Sequence, residues 1–102
     1  MSRASSKLSR ASASLLRALA NEERLRILET LVAGERCVSD LARDAGVDIS
    51  TVSQRLRVLR RQGVLGHRRD GRNIYYWIRS KHVALLLEQV RAHVLESDRA
   101  RR

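Results

Sequence analysis

Apolar residues recur along this chain at intervals of three and four, break off at glycines, and change once to a strand-like run before the helical spacing returns. The spacing predicts a short amphipathic helix over residues 11–20, ASASLLRALA. A second follows over 22–32, EERLRILETLV, with Leu25, Ile27, Leu28, Leu31 and Val32 in helical register. Asn21 is placed to cap it, Glu22 and Glu23 stand where the helix dipole favours carboxylates, and Gly34 ends it. A third helix is expected from Ser39 to Ala45, stopped by Gly46. Asp48 then caps a fourth, ISTVSQRLRVLRRQ, which carries Val52, Leu56 and Leu59 on one face and ends at Gly63. The runs VLGHRR and NIYYWIR are rich in β-formers and flank Asp70-Gly71, a hairpin signal. Ser80 can cap a last, leucine-rich helix from Lys81 to Asp98. The expectation is a mainly α fold with a small β-hairpin: about five helices and a two-stranded wing.

Serine and basic residues dominate positions 1–10, which are expected to form a disordered basic tail; 99–102 is a second basic tail, and 11–98 is the single folded domain. No internal repeat is read. At 102 residues and 43% hydrophobic content the chain can build one small core. That core must come from Leu, Val, Ile and Ala, because Phe is absent and the aromatics Tyr75, Tyr76 and Trp77 stand together.

Charge narrows the function. The net charge of +10 on so small a chain calls for a polyanion. No apolar run approaches the ~18 residues of a membrane span, so no membrane partner is expected. The N-terminus lacks the apolar centre of a secretory leader, and a single cysteine, Cys37, excludes an internal disulfide; both fit the cytoplasm. Enzymatic chemistry is not expected. There is no Ser-His-Asp set, no phosphate-cradling glycine loop and no paired carboxylates in a plausible cleft.

Two short helices joined at AGVD, the second leading into a basic hairpin, make a helix-turn-helix with a wing. The second helix offers Ser50, Thr51, Ser53, Gln54 and Arg55, then Arg57, Arg60 and Arg61. Short hydroxyl and amide side chains suit base edges in a major groove, and arginines further along suit phosphates. The hairpin tip gathers Arg68, Arg69 and Arg72, a ribbon able to follow the backbone or enter a minor groove. The expected partner is double-stranded DNA.

The segments ALANEERLRIL, CVSDLA, STVSQRLRVLRRQGVL and RRDGRNIYYWI, in this order, resemble the ArsR/SmtB family of bacterial winged-helix repressors. The resemblance covers residues 15–97. It implies a homodimer, paired through the first and last helices, that binds an operator and blocks transcription; many members release DNA when a metal binds. Carried over position by position, it places DNA contacts at Ser50, Ser53 and Gln54, with Arg55 nearby. Family members often carry His where Gln54 stands and Gln where Ile49 stands, which implies an altered operator preference.

On the last helix, His82, His93 and Glu96 share one face, since eleven residues is three helical turns. His82 and His93 are nevertheless ~16 Å apart along the axis, so one chain cannot close them on one ion. Two copies packed antiparallel can, giving two equal sites. Imidazoles and a carboxylate suit zinc, or else cobalt or nickel. Zinc-sensing family members carry a similar pattern, and three of its four positions match here. Ser80 stands where they have Asp. The thiolate site of other members is not expected, because Ser39 and Ala42 replace its further cysteines and leave Cys37 alone. The competing readings are a metal-independent winged-helix repressor and a non-sequence-specific architectural DNA-binding protein.

Overall fold

The computed structural model describes residues 3–101. The chain runs α1 (Arg3–Leu19), α2 (Glu22–Val32), β1 (Arg36–Cys37), α3 (Val38–Ala45), α4 (Ile49–Arg61), β2 (Leu65–Asp70), β3 (Asn73–Ile78) and α5 (Lys81–Ala100). The strands form one antiparallel sheet in the order β1-β3-β2.

All three anticipated side-chain caps form. Asn21 Oδ1 accepts from the Arg24 N–H at 3.0 Å, Asp48 Oδ1 from the Thr51 N–H at 2.7 Å, and Ser80 Oγ from the Val83 N–H at 3.1 Å. Each satisfies a first-turn donor that the helix leaves unpaired. Gly46 closes α3 in the left-handed conformation, φ 68°. With α3 and α4 delimited this way, the Gly46-Val47-Asp48 link between them is short, which sets the helix-turn-helix.

Leu28, Leu56, Leu59 and Val52 are fully inaccessible and Val64 nearly so, and Leu31, Leu41, Ala42, Tyr76 and Val83 complete one core beneath α2, α3, α4 and the sheet. Arg24 joins α1 to this body: its Nε donates to the Ala18 carbonyl at 2.6 Å and its Nη2 to the Arg17 carbonyl at 3.2 Å, satisfying acceptors at the α1 C-terminus.

The structure departs from the sequence reading in four places. Residues 3–10 are helical, not a tail, and of the proposed N-terminal tail only residues 1 and 2 lie outside the described residues. Their polar composition hides a seven-residue recurrence: Arg3, Arg10 and Arg17; Ala4, Ala11 and Ala18; Leu8 and Leu15. That spacing carries the apolar stripe of α1 back to its start, and no Gly or Pro interrupts it. At the other end, α5 continues to Ala100, so within the proposed tail 99–102 only residue 102 lies outside the described residues. The wing also has a third strand, because two-residue β1 pairs Arg36 with Tyr76 and Cys37 with Tyr75. A strand of two residues has no periodicity to detect. Finally, Asp70 is the last ladder residue, paired with Asn73, so the turn is Gly71-Arg72 and not Asp70-Gly71. Among the described residues only glycines have positive φ, so Gly71 (φ 63°) followed by Arg72 makes a type II′ turn.

Candidate nucleic-acid interface

The buried residues of α4, Val52, Leu56 and Leu59, define its inward direction. At 100° per residue, Ser50, Gln54, Arg57 and Arg61 fall within ~60° of one another on the opposite side. All four are exposed. They form one ridge: a hydroxyl and an amide in the first half, two guanidinium groups in the second. Ser53 flanks the ridge and is half-buried. Thr51 lies further round and is partly spent on the cap. Hydrogen bonds from Thr51, through its side chain first and its backbone N–H second, hold the Asp48 carboxyl below the usual carboxylate range.

Arg55 stands apart from the other expected DNA contacts. It lies ~140° round from Ser50, at the edge of the buried face. Its side chain is only 18% exposed, with Nη2 3.5 Å from Glu23 Oε2 of α2. Sequence spacing could have flagged the direction; the carboxylate waiting there is a tertiary fact. Arg55 and Glu23 also line an open groove of about 540 Å³ between α2, α3 and α4, together with Arg26, Glu29, Leu41 and Asp44.

In the wing, strand alternation splits the arginines. Arg69 pairs across from Ile74 on the side of Leu65 and His67, and Arg68 pairs across from Tyr75 on the other side. Arg69 and Arg72 are exposed and have no ion-pair partner among the described residues. Arg68 is held: its Nη2 lies 2.5 Å from Glu35 Oε1, and the Tyr75 ring lies under its Cζ at 4.6 Å. The hydrogen bond to Glu35 raises its pKa further above the ordinary arginine value.

His82, His93 and Glu96 are all exposed on α5. Among the described residues no group of three or more His, Cys, Asp or Glu converges within one chain. The donor chemistry of the three suits a borderline divalent ion, but a closed site requires side chains from a second copy. Ser80, the fourth position of the pattern, offers no carboxylate and already accepts a hydrogen bond as the α5 cap. Cys37 is buried; its Sγ is 3.4 Å from Ser39 Oγ, and its thiol hydrogen-bonds Asp40, lowering that carboxyl's pKa.

A tight helix-turn-helix with a polar, cationic ridge on its second helix, followed by an arginine-tipped hairpin, is the architecture of a winged-helix transcriptional regulator, not of an enzyme. Residues 21–65 match the bacterial regulatory protein, arsR family. A transcriptional repressor SmtB homolog from Synechocystis is 46% identical over 81 residues, covering 79% of this chain; the chain spans 61% of that protein's length. The crystal structure of Rv0081 from Mycobacterium tuberculosis is 43% identical, with a TM-score of 0.78, covering 91% of this chain and 96% of that one. The solution structure of the homodimeric winged helix-turn-helix DNA-binding domain of Mb0332 from Mycobacterium bovis is 35% identical, with a TM-score of 0.87, covering 95% and 90%. The chain belongs to the arsR family of transcriptional regulators. Among the described residues no helix is long and apolar enough to cross a membrane.

Proposed function

We propose that the protein is a homodimeric, sequence-specific repressor, in which two copies of α4 enter successive major grooves of a double-stranded operator while the wings meet the flanking backbone. The ridge Ser50, Gln54, Arg57 and Arg61 carries this reading. A purely architectural binder needs only positive charge, whereas this ridge puts a hydroxyl and an amide beside the charge, where hydrogen bonds to base edges can select sequence. Ser53 and Thr51 flank it, and Arg69 and Arg72 supply phosphate contacts from the wing. Gln54→Ala is expected to relax discrimination at one base pair per half-site by ~1–3 kcal/mol. Titration against operator and random duplexes checks this; equal losses on both would remove the base-reading role.

Dimerisation through α1 and α5 is supported by an apolar stripe that outruns its own core. Val83 is buried and Leu87 packs on the core, but Val90 and Val94, next on the same stripe, are 49% and 57% exposed. Leu8 and Leu16 of α1 are also exposed. A second copy would cover these residues; the similar Mb0332 domain is homodimeric.

The effector reading is a divalent metal, zinc first and cobalt or nickel after it, held by His82, His93 and Glu96 contributed across the α5 pair. A bound ion would tie the two α5 helices together, and operator release would follow from the altered spacing of the α4 pair. The Ser80 cap, neutral and already engaged, favours a second reading, a metal-independent repressor. Calorimetry separates them. Zinc binding to the native dimer and its loss in the His82→Ala, His93→Ala variant support the metal reading; equal binding by both supports the second.

A further inference from the structure

We propose that Glu35 is a positioning residue for DNA binding: it clamps the wing through Arg68, and Arg68 itself makes no phosphate contact. This rests on the reading that the wing tip meets DNA. Glu35 lies in the link between α2 and β1, 33 residues from Arg68 in sequence. The guanidinium forks onto its carboxylate, Nη2 to Oε1 at 2.5 Å and Nε to Oε2 at 3.4 Å. Its remaining corner, Nη1, is 4.0 Å from Asp70 Oδ2, and its face lies over Tyr75. The Nη2 and Nε donors and one face of the guanidinium are therefore engaged by the protein, and Nη1 points toward a second carboxylate, so a phosphate would have to compete with Glu35 and Asp70 for Arg68.

The clamp also occupies a particular row. Tyr75 pairs with Cys37 of β1 on one side and with Arg68 of β2 on the other. This is the last row in which the sheet is three strands wide. Beyond it only Arg69–Ile74 and Asp70–Asn73 remain before the Gly71-Arg72 turn. A two-stranded ribbon is marginal by itself, and its twist is variable. A planar fork on a carboxylate and a stacked ring fix direction as well as distance. Glu35 and Arg68 side chains are 36% and 49% exposed, so the pair is screened and contributes little to global stability. Its effect is to set the angle at which Arg69 and Arg72 are presented.

This role reverses the sign expected from charge. Removing a carboxylate from a DNA-binding face should, by Coulomb attraction alone, tighten binding. With the clamp, Glu35→Gln weakens operator binding by roughly 2- to 30-fold, the range for residues that act on a ligand without touching it, while the thermal unfolding temperature of the dimer stays near native. Arg68→Gln weakens binding similarly without changing the salt slope, and the double variant is no worse than either single one. Arg72→Gln, by contrast, lowers the slope by about 0.9 for each phosphate it no longer neutralises. Tighter binding by Glu35→Gln, additive losses in the double variant, or a slope reduced by Arg68→Gln would each overturn the proposal. If Arg72→Gln changes neither slope nor affinity, the wing reading itself fails and takes the clamp with it, an outcome distinct from the other three.

Discussion

Asp48 and Gly66 show how single positions govern the DNA-binding half. Asp48 is ionised in its cap, and its folded pKa lies below its ordinary value of 3.8. A carboxyl depressed on folding stabilises fully above its unfolded pKa, and that contribution is lost as pH falls through the folded pKa. Asp48→Asn keeps a capping oxygen and removes the titration. Thermal unfolding from about pH 5 downward should therefore show the native protein losing stability relative to the Asp48→Asn variant; parallel curves would mean that the cap is not charge-dependent. Gly66 sits across the ladder from Trp77, and a Cβ there would fall on the indole ring itself. Gly66→Ala should cost ~1–3 kcal/mol by overpacking, read by denaturant unfolding. Sequence alone marks Gly66 as a glycine within a strand, but only the register shows what it must avoid.

At the scale of elements, α4 presents two chemically different faces on opposite sides. Leu56 and Leu59 are fully buried, and the Ser50–Arg61 ridge faces away from them. Leu56→Ala should destabilise the fold by ~2–5 kcal/mol through lost burial and a cavity, measured by urea unfolding. DNA affinity at temperatures well below the transition should change far less. The bounds of α2 and α4 were legible because caps and glycines punctuate a clear 3.6-residue stripe. Strand β1 and the helical start of α1 were not: one is too short to show a period, and the other is apolar only through alanines and single leucines spaced seven apart.

For the whole molecule, the exposed Val90 and Val94 of α5 make the assembly testable. Val94→Asp should shift the dimer towards monomer in sedimentation at micromolar concentration, because a carboxylate would be carried into an apolar seam. An unchanged dimer would place the seam elsewhere. Operator affinity should fall with dimer loss, since each half-site then binds alone.

What the sequence by itself determined is local and periodic: the existence of five helices, the caps of α2, α4 and α5, the hairpin, the polar residues of α4 and the alignment of His82, His93 and Glu96 on one face. Each follows from spacing along a regular element, where geometry converts sequence distance into direction. What only the tertiary structure decided is which arginines are free. Spacing gives the direction of Arg55 but not its partner, and Arg68 looks no different in sequence from Arg72, yet Arg55 and Arg68 each meet a glutamate more than thirty residues away in the chain. Such pairings arise from packing between elements, and no local period encodes them.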